Sequence, residues 1–98
     1  VKLFLKSNIR FYFHHDEEAF FRWIKKLQFI DACEYLDGKV TLTVRSRILN
    51  RDELWDLIAL FRRYKLEMPL LAQFLTKFNQ KWFYDKKNMC WHKHIFGD

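Results

Sequence analysis

Residues 29–45 read FIDACEYLDGKVTLTVR, and this stretch decides the fold. Asp37-Gly38 sits between two runs rich in β-branched and aromatic side chains. A two-residue type I′ turn needs positive φ at both central positions, which Asp and Gly tolerate. Counting outward from the turn pairs Tyr35 with Val40 and Cys33 with Leu42. Those four share one face of the hairpin, and Glu34, Thr41 and Thr43 fall on the other. Cys33 is therefore expected to be a core thiol, because a free cysteine ordinarily behaves as a small buried hydrophobe.

On the N-terminal side of the hairpin, residues 3–14 place Leu3, Leu5, Ile9, Phe11 and Phe13 in alternation with Lys6, Arg10, Tyr12 and His14, the period-two pattern of a half-buried strand. Phe4 breaks the alternation, and Ser7-Asn8 can divide the stretch into a hairpin or bulge. The period then changes to that of a helix. Asp16, Glu17 and Glu18 put acid at its start, Lys25 and Lys26 put base near its end, and Phe20, Trp23, Ile24 and Leu27 make one apolar face.

Beyond the hairpin, Asn50 with Glu53 three residues later is the signature of a capping box. It opens a second helix with the stripe Leu54, Leu57, Ile58 and Phe61. Pro69 suits the first turn of a third helix, whose stripe would be Leu71, Phe74, Leu75 and Phe78. In the last eighteen residues, KWFYDKKNMCWHKHIFGD, the side chains of Trp82, Phe83, Trp91 and Phe96 are expected to anchor an irregular or short helical tail. The order is thus β(β)-α-β-β-α-α. It predicts an α+β fold over 1–98 as a single domain, an antiparallel sheet of three to four strands with three helices mainly on one face. The other sheet face, lined by Arg10, Tyr12, His14, Glu34, Thr41, Thr43 and Arg45, is left for solvent or a partner.

Composition sets the outer limits. The 98 residues are half hydrophobic and 19% aromatic, enough apolar surface to exclude disorder. Eighteen Lys and Arg against 12 Asp and Glu give +6, with nine basic and six acidic residues in each half, so no basic tail carries the excess. Two cysteines without CxxC spacing point away from a disulfide framework. The longest apolar run, Leu57–Phe61, is far below the roughly 18–20 residues of a membrane span, and the N-terminal stretch lacks the apolar centre of a secretory signal. A soluble, cytoplasmic chain with no membrane contact is expected.

Candidate chemistry is sparse. Cys90, His92 and His94 would share a face if extended, yet a structural zinc site wants four ligands and a catalytic one three plus water; packed tail histidines are the simpler expectation. His14, His15, His92 and His94 could in principle supply a ribonuclease acid and base, although only composition supports it. No serine lies in a nucleophile elbow and no glycine-rich loop is present, so no cofactor is expected. Nucleic-acid binding has a better footing, since Arg10, Tyr12 and Arg45 on one face combine charge with a stacking ring.

His15-Asp16-Glu17-Glu18 leading to Phe20, Phe21 and Trp23, then Leu57–Phe61 with Arg63-Tyr64, then Trp82-Phe83-Tyr84-Asp85 and Trp91 with Ile95-Phe96-Gly97 together resemble small bacterial immunity proteins of contact-dependent growth-inhibition and related polymorphic toxin systems. The resemblance spans nearly the whole chain and implies a non-catalytic cytoplasmic protein that clamps a cognate toxin domain, often a nuclease, and covers its active site. Immunity proteins facing basic nucleases tend to be acidic, and this chain departs from that pattern. An acidic surface on the toxin is one way to accommodate it. Exposed Arg and aromatic residues are the expected contacts: Arg10, Tyr12, His14, Arg45 and Arg47, with Arg62 and Arg63 as a second patch.

Overall fold

A computed structural model describes residues 1–5, 14–87 and 89–97, with the backbone alone at His14. The elements are β1 (Lys2–Phe4), α1 (His14–Lys26), β2 (Ile30–Leu36), β3 (Lys39–Val44), α2 (Arg51–Arg63), a 3₁₀ helix (Met68–Phe74), α3 (Gln80–Phe83) and α4 (His92–Phe96). This is an α+β fold on a three-stranded antiparallel sheet of order β1-β3-β2.

The hairpin forms in the expected register, with Tyr35 opposite Val40 and Cys33 opposite Leu42. Asp37 and Gly38 both have positive φ, 52° and 78°, as the tight turn demands. Towards the far end, Ile30 pairs with Val44 and Ala32 with Thr43, so Asp31 is an extra residue in the ladder, a bulge that re-aims its side chain. β1 adds Leu3 opposite Leu42 and Phe4 opposite Thr41.

Alternation puts Leu3, Leu5, Val40, Leu42 and Val44 on the covered face of the sheet. They join Phe20 and Ile24 of α1 and Leu54, Leu57, Ile58, Leu60 and Phe61 of α2 in one core cluster. α1 obeys its sequence pattern, acidic in the first turn and basic in the last. Its rings reach both neighbours: Phe20 meets Tyr64 edge-on at 4.8 Å, and Phe21 meets Tyr35 at 5.4 Å.

α2 starts with the full capping box. The Glu53 amide donates to Asn50 Oδ1 at 2.8 Å and the Asn50 amide donates to Glu53 Oε1 at 2.9 Å. It ends on Lys65, which takes φ 54° while the amide of Leu66 donates to the Phe61 carbonyl and that of Lys65 to the Arg62 carbonyl. That is a Schellman closure with lysine where glycine is usual.

The third helix departs from its prediction. It is a 3₁₀ helix, in which side chains three apart eclipse, so Leu71 and Phe74 are buried together while Leu75 and Phe78 fall outside it. Phe78 is 76% exposed. The helix stops because Thr76 and Asn79 close a polar turn: buried Asn79 accepts from the Thr76 amide and donates Nδ2–H to the Phe74 carbonyl, both at 2.8 Å. Spacing alone could not reveal that Asn79 takes the carbonyl an α-helix would have used.

The tail is anchored as expected. Phe83 and Trp91 are buried, and Trp91 Nε1–H donates to the Phe83 carbonyl at 3.1 Å. Trp55 on α2 meets Trp91 edge-on at 4.5 Å and lies parallel to Trp82, over which the Arg51 guanidinium sits 5.3 Å from the ring centre. Three of the four tryptophans thus strap the C-terminal segment to α2.

Candidate interaction surface

Opposite the core, the sheet presents a second face. Across it run Lys2, Thr43 and Ala32 in one row, Phe4, Thr41 and Glu34 in the next, and Lys39 beside Leu36 at the turn. Phe4 is 59% exposed and Leu36 74%. Full burial of such side chains is worth about 1.5–3 kcal/mol each, a gain the described residues leave largely unrealised.

Arg45 follows Val44 in a bend just beyond β3 and is exposed. Its Nε–H donates to Asp31 Oδ1 at 3.3 Å and its Nη2–H to the Gln28 carbonyl at 2.6 Å. The bulge at Asp31 makes that ion pair possible, and it holds the guanidinium at the end of the sheet. Glu34, Thr41 and Thr43 therefore share this face as expected, with Arg45 just beyond the end of β3. Arg10 and Tyr12 lie outside the described residues. His14 is the first residue of α1, whose first turn carries Asp16 and Glu17. Phe4 is the residue that pattern reading missed. Its signal was present in the sequence, an aromatic side chain at the parity reserved for polar residues.

The remaining arginines stand elsewhere. Arg47 is exposed in the loop before α2, where the Ile48 amide donates to Ser46 Oγ. Arg62 and Arg63 are exposed in the last turn of α2, where positive charge favours the helix dipole. Arg62 Nη1–H donates to the Cys90 sulfur at 2.8 Å, which ties it to the tail. No hydrogen bond or ion pair among the described residues links Arg62 or Arg63 to Arg45 or Arg47.

The tail histidines are separated by the helix they belong to. His92 is buried at 4% exposure against Tyr84 and Phe96, ring centres 4.5 and 5.2 Å away, with its Nε2 lacking a hydrogen-bond partner among the described residues, whereas His94 is exposed. Residues two apart on a helix point in nearly opposite directions, so the extended alignment with Cys90 does not form. Among the described residues no group of three His, Cys, Asp or Glu side chains is placed to hold a metal. His94 instead borders a shallow open depression with Leu66, Glu67, Met68, Pro69 and Leu70. Cys33 is half-buried; burial pushes its thiol pKa up, and the Glu34 carboxylate adds to the rise, which keeps it a neutral packing group.

No family model, curated protein or solved structure matches the chain. No helix among the described residues is long and apolar enough to cross a membrane. The open face offers exposed rings and aliphatic groups beside hydroxyls and mixed charge, an arrangement suited to binding a complementary surface.

Proposed function

We propose that the chain is a non-catalytic protein-binding module, an immunity protein that neutralises a cognate toxin domain, of nuclease type, by covering its active site in the cytoplasm. The observation that carries the binding part is the pair Phe4 and Leu36, both largely exposed on one sheet face with Lys2, Lys39 and Arg45 at its margin. The toxin part rests on the motif resemblance.

A protein surface fits this face better than a nucleic acid does. Leu36 has no ring for a base to stack on. Glu34 places negative charge in the middle row, and Arg45 is already engaged by Asp31 and the Gln28 carbonyl. Phe4 beside Lys2 is the feature that would serve RNA, and that alternative predicts affinity falling steeply with salt.

Co-expression with the product of the adjacent open reading frame tests the proposal. The neighbour alone should arrest growth, the intact chain should restore it, and Phe4→Asp with Leu36→Asp should abolish the rescue while leaving the fold intact by circular dichroism. A harmless neighbour, or one that kills despite co-expression, overturns the toxin assignment. Rescue by the double variant removes this face from it.

A further inference from the structure

β2 is the longest strand of the sheet and lies at its margin, because the strand order is β1-β3-β2. Its outer edge pairs with no strand among the described residues. Such an edge presents a row of backbone N–H and C=O groups that template another strand. Glu34, Tyr35 and Leu36 along it are all exposed, so an incoming segment meets little obstruction.

Charge selects what can pair there. Residues 30–38 contain Asp31, Glu34 and Asp37 with no Lys or Arg, while the rest of the chain carries all 18 basic residues and the other nine acids. Arg45 engages Asp31, but Glu34 and Asp37 have no ion-pair partner among the described residues. A second copy of this chain is a poor occupant, since antiparallel pairing of β2 with itself would gather two sets of acids at one seam. A basic strand gains where a second copy loses.

We propose that the outer edge of β2 docks an extended basic segment of a protein partner by strand addition, with main-chain hydrogen bonds along Ile30–Leu36 and Lys or Arg side chains beside Glu34 and Asp37. The inference rests on the protein-binding reading above and names the partner's chemistry. It also removes a difficulty in that reading: a chain of net +6 can engage a basic nuclease if the contact is made at its locally acidic margin.

Amide hydrogen exchange by NMR, with a ten-residue peptide alternating Lys and Val, tests it directly. The peptide should slow exchange at alternate amides of Ile30–Leu36. Its Glu-for-Lys counterpart, and a version carrying Pro at alternate positions, should not. Glu34→Lys combined with Asp37→Asn, which keeps a residue tolerant of positive φ in the turn, should weaken binding about tenfold. No protection of β2 at millimolar peptide, protection by the Pro peptide, or protection indifferent to the charge changes would overturn the proposal. Growth rescue without β2 protection sinks the edge alone, and β2 protection without rescue sinks the toxin assignment alone.

Discussion

The sheet and the C-terminal segment spend their large apolar side chains in opposite ways. Apart from exposed Phe78, the rings from Trp55 onward pack on one another: Trp55, Trp82 and Trp91 cluster together, Phe83 is fully buried, and Phe96 lies against Phe83 and Tyr84. The sheet buries Leu3, Leu5, Val40, Leu42 and Val44 on one face and leaves Phe4 and Leu36 on the other exposed. Aromatic content alone cannot distinguish an anchor from a contact residue. The difference teaches that the tail should answer to stability measurements and the sheet face to binding measurements.

The contrast can be broken most directly at Phe83. Phe83→Ala should cost about 3–5 kcal/mol in urea unfolding, a large share of the stability of a small domain. A loss below about 1 kcal/mol would mean that the tail is not an integral part of the core. Asn79→Ala should come next, at about 1–3 kcal/mol, because it leaves the buried Phe74 carbonyl and the Thr76 amide without their partner. Asn50→Ala removes one half of the capping box and should cost about 1 kcal/mol. On the sheet, Phe4→Ser and Leu36→Ser should each change stability by no more than about 0.5 kcal/mol while impairing neutralisation, which sharpens the division between the two regions. A change of opposite sign is expected at Lys65→Gly, which relieves a positive φ and should stabilise α2 by a few tenths of a kcal/mol, about 0.5 at most, in the same urea unfolding measurement.

The two cysteines extend the comparison to pH. Cys33 has a folded pKa raised above the ordinary thiol value of 9.0. Its contribution to stability is therefore complete below the unfolded pKa and declines as pH rises through the folded one, since the unfolded chain ionises first. Iodoacetamide at mildly alkaline pH should alkylate exposed Cys90 well before Cys33, followed by mass spectrometry. Equal rates would contradict the packing assigned to Cys33.

How legible each region was in the sequence follows from how local its determinants are. The hairpin register was readable because Asp37-Gly38 fixes the turn and alternation does the rest. α2 was readable at its start because Asn50 and Glu53 lie three residues apart and bond only each other and their own backbone. Its end was not marked by a glycine, and only the bonds from Lys65 and Leu66 show where it closes. The third helix failed because Leu71, Phe74, Leu75 and Phe78 fit an α-helical stripe, whereas the Thr76–Asn79 turn that ends the helix at Phe74 depends on where the rest of the chain lets Asn79 be buried.

The functional surface divides along the same line. Parity along β3 was sufficient to assign Thr41 and Thr43 to the open face, because successive strand side chains must point to opposite sides. The sequence by itself therefore determined the fold class, the hairpin, the main helices and the identity of most core residues. Tertiary structure alone decided that Phe4 stands opposite Thr41, that the bulge at Asp31 meets Arg45, that Arg62 turns to Cys90, and that β2 lies at the margin with Glu34 without an ion-pair partner among the described residues. These are relations between residues far apart in the chain. Strand order, bulges and packing set them, and no local pattern encodes them.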